Sequence, residues 1–511
     1  MTILDTIIQQ SIKIHHGLKS QKSSNIQYQS KTLFKLLKKA RHTEFGMHYH
    51  FISILKSKKY IAQFQQTIPY YQYNDMFENW WYKSYDGEKN IAWPGKVKYF
   101  ALSSGTSASA SKRIPVTKDM INQVKQIGMK QLLSLHFFDI HPKIYHNDIL
   151  MLGGSTKLIQ KGDVYEGDMS GISARKIPKW VSYLFYRPGK KISKRTLWED
   201  RINMIVKKAP QWNVATICGV PAWVEIVLEK IIEHHKLNSI HDIWPNFQLY
   251  IHGGVCFDPY KENFKTLLGK PTQFIETYMA SEGSFGFQAR PNASGIQLVL
   301  NNGIFFEFVP FNEINFTEDG DILTSAKSFV ISEVKEKTPY AVVISTCAGA
   351  WRYLIGDVIE FTNAKNAEIK IVGRTKQFLS LCGEHLSVDN MNQAIIYTQQ
   401  TLGISIKEFT VYGEKYNGKF AHYWFIGTED TKYTEEEIKK VLDKHLCKIN
   451  DDYATERSSA LPTLFLQKIN NHLFNDYLEL QGKVGGMVKF PRVLKGDRIK
   501  SWTKFLSETT L

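Results

Sequence analysis

Between about residues 145 and 280 the chain repeats one pattern: a short apolar run, a glycine turn, then a helical segment. Ile149-Leu150-Met151-Leu152 ends in Gly153-Gly154. Val214-Ala215-Thr216-Ile217 leads into Gly219-Val220-Pro221 and a predicted helix from Ala222 to His235. Leu249-Tyr250-Ile251 ends in Gly253-Gly254, before a predicted helix from Pro259 to Leu268. Thr272 to Thr277 reads as a further strand. Strands joined through helices in this way run parallel, which makes the fold class α/β.

The flanking regions read differently. Residues 1 to about 90 carry apolar positions at helical spacing, such as Leu33, Leu36 and Leu37. Val97 to Leu102 reads as a buried strand, and Thr117-Lys118-Asp119-Met120 as the start of a helix over 120–138. From about 296 to 372 the pattern is β: Ile304–Val309, Val342–Ser345, Val358–Phe361 and Ile369–Val372. Beyond Gly373, helices are expected over 388–400, 433–450 and 464–478, with strands at Thr410–Tyr412 and His422–Ile426. The expected architecture is a large N-terminal domain (1–375) of mixed and parallel sheets flanked by helices. A hinge (376–385) and a smaller, mobile α+β domain (386–511) follow. At roughly 150 residues per domain, 511 residues leave room for two to four domains.

Hydrophobic residues at 43% and charged residues at 22% exclude a disordered or collagen-like chain. No apolar stretch approaches the roughly 20 residues of a spanning helix. The formal charge of +16 would suit nucleic acid, an anionic membrane or anionic small molecules. The basic residues are scattered, however. Their two clusters, Lys35 to Arg41 and Lys190 to Arg195, accompany no nucleic-acid-binding spacing. The reading is a basic surface, with neither nucleic acid nor membrane as partner. Five cysteines form no CxxC, and the N-terminus lacks the basic and apolar regions of a signal peptide; both favour the cytoplasm. No HExxH occurs. His136, His141 and His146 recur at fives, and His48 and His50, on one face of a predicted strand, lack a third ligand, so no transition metal is expected.

Five short motifs can carry chemistry. Ser103-Ser104-Gly105-Thr106-Ser107 follows a strand, where hydroxyls and backbone N–H groups around a glycine can converge on a phosphate. Tyr278-Met279-Ala280-Ser281-Glu282 sits at a predicted strand end, where α/β sheets bind ligands. There a tyrosine can stack on a base, and a glutamate can hold magnesium between phosphate oxygens. Gly356-Asp357 places a carboxylate to accept the two hydroxyls of a ribose. Gly373-Arg374-Thr375-Lys376 falls where the β-rich region gives way to the C-terminal module. Lys489 lies on a glycine-flanked loop. Taken singly, each has an ordinary alternative: a surface turn, a core tyrosine beside a solvated acid, an Asp-capped turn, a basic turn, a solvated lysine.

Taken in order, the five resemble the firefly-luciferase-like adenylating superfamily. Trp93-Pro94-Gly95, Tyr99 to Thr106, Ile114-Pro115-Val116-Thr117, Ile68-Pro69, Gly219 to Trp223, His252-Gly253-Gly254-Val255 and Val488 to Arg492 narrow the likeness. They are similar to the Gretchen Hagen family of acyl acid amido synthetases, known for joining auxin or jasmonate to amino acids. The resemblance implies an ATP-dependent ligase that adenylates a carboxylic acid and passes the acyl group to an amine, with ATP and Mg²⁺ required. A CoA thioester ligase is the alternative. By the same resemblance, Ser103, Ser104, Gly105, Thr106 and Ser107 would hold the phosphates. Tyr278 would stack on adenine, Ala280 and Ser281 would also bind the nucleotide, and Glu282 would help bind magnesium. Asp357 would take the ribose, Arg374 and Lys376 would lie at the hinge, and Lys489 would be the catalytic lysine. The acyl pocket is expected near residues 153–175 and the helix after Pro221, with Met169 and Trp223 as contacts. The third motif departs from the family's pattern: Trp351 replaces a tyrosine and Leu354 an arginine, which leaves the role of Arg352 open.

Overall fold

The computed structural model describes residues 24–103, 112–177, 185–196, 198–254, 257–317, 320–375, 378–379, 381, 384, 386–417, 419–458, 461–482 and 489–509. The first helix, Asn25–Ala40, starts where Ser24 and Gln27 form a capping box. Leu33, Leu36, Leu37 and Ala40 share one face and are all buried. Gln29, also buried, ties this helix to the main sheet. Its side-chain amide donates to the carbonyls of Leu300 and Ile304 and accepts from the Phe306 N–H.

The main sheet has eleven strands. From one edge the order is Ile304–Pro310, Pro339–Thr346, Tyr353–Asn363, Glu368–Arg374, Ile296–Leu298, Gly283–Phe287, Gln273–Ala280, Leu249–Gly253, Val214–Gly219, Asp148–Leu152 and Tyr186–Arg187. The last five of these pair in parallel, as the strand–glycine–helix repeat predicts. The others pair antiparallel. Gln273–Ala280 is the strand where the sheet changes over: parallel to Leu249–Gly253 on one side, antiparallel to Gly283–Phe287 on the other. A four-stranded sheet of Lys112–Val116, Tyr99–Ser103, Val164–Gly167 and Ile159–Lys161 stands beside it. Thr117 caps the helix Lys118–Ser134, its hydroxyl accepting from the Met120 N–H.

After Arg374 a two-stranded hairpin, Phe378–Leu379 with Leu386–Ser387, leads into the C-terminal module. That module is a three-stranded sheet of Glu408–Tyr416, Lys419–Gly427 and Thr463–Ile469. Phe409, Val411, Trp424 and Ile426 form one core with residues of helices Val388–Leu402 and Glu435–Ile449. Tyr412 and Phe425, on the opposite face, pack with Phe474, Tyr477, Phe490 and Trp502.

Two expectations are corrected. Residues 464–478 do not form one helix: Thr463–Ile469 is a strand parallel to Lys419–Gly427, and the helix begins at His472. Leu464 and Leu466 are buried while Phe465 and Gln467 are exposed, an alternation that the adjacent apolar letters conceal. His48 and His50 share no strand, because His48 ends a helix and His50 precedes the next with φ 51°. Among the described residues, no helix is long and apolar enough to cross a membrane.

Candidate active site

The changeover strand delivers Tyr278 to the carboxyl end of the parallel half, the usual ligand edge of such sheets. Its ring packs on Phe285 at 4.7 Å and only 4% of the residue is exposed. Its hydroxyl donates to Asp357 Oδ2 at 2.7 Å. In this geometry Tyr278 presents an oriented hydroxyl, not the open ring face that stacking would need. Burial, followed by the neighbouring Asp357 carboxylate, raises the phenol pKa well above its ordinary value, so the phenol stays a donor.

Asp357 lies within the strand Tyr353–Asn363, directly after Gly356, whose φ is 90°. That left-handed backbone favours glycine. A methyl group there would also sit 3.3 Å from an Arg374 guanidinium nitrogen. Arg374 is the cross-strand partner of Asp357, and its Nε approaches Oδ1 at 3.3 Å. A second guanidinium nitrogen donates to the Ile355 carbonyl at 3.1 Å. The Asp357 carboxylate is thus held from two sides yet faces the cleft.

Ser281 and Glu282 are the two loop residues of a tight hairpin, with Ala280 paired to Gly283 across it. The short turn drives Glu282 inward, to 7% exposure, where the Tyr353 hydroxyl donates to it at 3.3 Å. Burial raises its pKa, and the nearby Lys112 opposes that shift. Lys112 pairs in register with Ser103, so it stands at the base of the segment linking these two strands. The sequence reading gave Lys112 no role of its own; its place a few residues beyond the Ser/Gly motif was the available signal. Of that motif only the backbone of Ser103 is described. Ser104, Gly105, Thr106, Ser107 and Lys376 lie outside the described residues.

Lys489 comes to this cleft from the C-terminal module. Its segment is held by Phe490 in the core, by an Arg492–Glu408 ion pair, and by bonds from the Val411 N–H to the Arg492 carbonyl and from the Leu494 N–H to the Val411 carbonyl. A methyl built on Gly254, whose φ is 86°, would lie 3.5 Å from Lys489 Nζ. The ammonium therefore sits over the glycine turn that ends a parallel strand. It keeps solvent access along the cleft. The surrounding protein, and then the Arg374 charge, lower its pKa to about 8, against the pull of Asp357.

Tyr278, Glu282, Asp357, Arg374 and Lys489 therefore converge on one cleft. Arg352 does not. It is buried, pairs with Glu307 at 3.1 Å, and donates to the carbonyls of Gln65 and Ile68 and to Ser328 Oγ. Its role, open from the sequence, is structural. Trp351, fully buried, donates its indole N–H to the Ala92 carbonyl. Met169 is 3% exposed in the main core, and Trp223 is half-buried. Among the described residues, no group of three or more His, Cys, Asp or Glu side chains could hold a metal ion. Magnesium needs only one or two carboxylates when phosphates supply the other oxygens, so Glu282 fits that ion.

Three domain matches run along the chain: the GH3 family N-terminal domain at residues 14–196, the central domain at 297–374 and the C-terminal domain at 389–497. The chain belongs to the GH3 family. Its similar curated relatives include an indole-3-acetic acid-amido synthetase of Arabidopsis thaliana, 24% identical over 50% of this chain and 45% of the relative. A jasmonoyl-L-amino acid synthetase of Nicotiana attenuata is 25% identical over 53% of this chain and 48% of the relative. The chain thus spans about half the length of the curated relatives it matches. Among solved structures, a GH3.15 acyl acid amido synthetase superposes with TM-score 0.78 at 15% identity, covering 97% of this chain and 95% of the other. A 2-hydroxyisobutyryl-CoA ligase in its postadenylation state gives 0.59 at 12% identity over 94% and 91%. This GH3-family chain shares the fold of both.

Proposed function

We propose that the protein is an ATP-dependent acyl acid amido synthetase acting in the cytoplasm. The observation carrying this reading is the arrival of Lys489 from the C-terminal module at the cleft that holds Asp357, Arg374 and Glu282. Asp357, braced by Tyr278 and Arg374, accepts the ribose hydroxyls of ATP. The Ser103–Ser107 motif, with Lys112 at its base, takes the phosphates. Glu282 would hold Mg²⁺, which offsets phosphate charge when bound.

A carboxylate is a poor acyl donor because oxide is a poor leaving group. Its oxygen attacks the α-phosphate, pyrophosphate leaves, and an acyl-adenylate forms. Lys489 faces the charge that builds on the phosphate, and a cation already positioned there stabilises it without reorganisation. The C-terminal module then turns about residues near Lys376, a hinge movement between two rigid parts. An amine, in this reading that of an amino acid, attacks the acyl carbonyl and AMP departs.

The test is ATP–pyrophosphate exchange across a panel of aryl and fatty acids, with amino acids or CoA added separately. Acid-dependent exchange, with amide formed when amino acids are supplied, is expected. AMP release that requires CoA would move the reading to a thioester ligase, and no exchange with any acid would reject adenylation.

A further inference from the structure

Behind Gly254 and Tyr278, the same sheet face carries ionisable groups that adenylation does not use. Residues two apart on a strand share a face and lie about 7 Å apart. His252 and Glu276 are register partners on the parallel strands, each two residues before Gly254 and Tyr278. Asp258 and Lys261 act electrostatically on both, and pair with each other at 2.5 Å. Asp389, in the first turn of Val388–Leu402, faces Asp258 as well as Lys370, Gln393 and Glu360. These acids stand out on a chain with a formal charge of +16. A second observation points to a ligand. His252 is 5% exposed and stacks on Phe257 at 4.4 Å, and its Nδ1 has no hydrogen-bond partner among the described residues. Burial holds this imidazole down at about 4, so it is neutral at physiological pH. A buried polar atom left unmatched is costly and calls for a polar partner.

We propose that Glu276, flanked by His252 and Asp258, is the acceptor site, where a primary ammonium binds and gives up a proton before attack. This rests on the amido synthetase reading. An amine arrives as R–NH₃⁺. One N–H bond breaks, the electron pair stays on nitrogen, and the proton passes to the Glu276 carboxylate. The free amine forms a C–N bond at the acyl carbonyl. The carbonyl carbon–phosphate oxygen bond breaks, AMP leaves with that pair, and the second nitrogen proton goes to solvent. Burial first, and Asp258 second, raise the Glu276 carboxyl to about 7, which suits a base working near neutrality. Glu276, His252, Asp258 and Lys261 precede the hinge in sequence, so they keep their arrangement while Asp389 moves with the C-terminal module.

The test compares wild type with Glu276→Gln. The probes are hydroxylamine, uncharged at pH 7.5, and glycine, aspartate and ethylamine, each carried as an ammonium. The ratio of amide to hydroxamate is expected to fall by about 10² in the variant. The limb near pH 7 in the amide rate should vanish, and Glu276→Asp should restore part of the ratio. Amide and hydroxamate falling together would mark a structural role and overturn the proposal. So would hydroxamate from wild type without amide from any ammonium probe. No hydroxamate from wild type would instead overturn the amido synthetase reading itself.

Discussion

Two arginines 22 residues apart in sequence, each paired with a carboxylate, behave as opposites. Arg352 and Glu307 are sealed, with side-chain exposures of 5% and 0%, and the guanidinium donates to Glu307, to the carbonyls of Gln65 and Ile68 and to Ser328 Oγ. It also lies 4.1 Å over the Tyr70 ring, on a backbone with φ 42°. Arg374 and Asp357 are 41% and 15% exposed and open onto the cleft. The chemistry is the same, but only the second pair leaves capacity for a ligand. Water access, not residue type, separates the structural pair from the one proposed to bind ligand.

Four measurements would break or sharpen that contrast. The largest effect belongs to the sealed pair. Arg352→Met strands Glu307 without its cation and should cost about 3–5 kcal/mol in urea unfolding. Adding Glu307→Leu should recover most of that loss, because the pair is replaced as a unit. A variant no less stable than wild type would erase the distinction. On the cleft side, Lys489→Ala should lower pyrophosphate exchange by about 10²–10³ while ATP still binds and the unfolding midpoint hardly moves. Near-wild-type exchange would remove Lys489 from the mechanism. Tyr278→Phe takes a hydrogen bond from the Asp357 carboxylate, a contact worth about 1.5–3 kcal/mol when the acceptor is charged. ATP affinity, read by calorimetry, should weaken by roughly tenfold or more. The smallest effect is in pH. In the proposed mechanism Lys489 works protonated, and burial lowers its pKa to about 8, so exchange should be full below that value and fall as pH rises through it. Lys489→Arg should shift the fall to higher pH, since a guanidinium stays charged.

Much of this was legible in the sequence because local pattern and local structure agree. Gly219, Gly253 and the helix from Pro221 mark a strand end and a crossover whatever surrounds them. Glu282 was visible as a motif letter, and the two-residue hairpin explains its inward turn. Three features were hidden for physical reasons. The role of Arg352 stayed open because only tertiary packing brings Glu307, 45 positions away, beneath it. Lys112 meets Glu282 across a separation of 170 positions. In Thr463–Ile469, three adjacent apolar residues fit either period, and only the neighbouring strand decides between them.

Gly254 has one further consequence. A methyl group there would only touch the ammonium, but a longer side chain would compete with it for the same space. In the proposed reaction, closure of the smaller lobe would therefore depend on a residue outside the nucleotide-binding motifs.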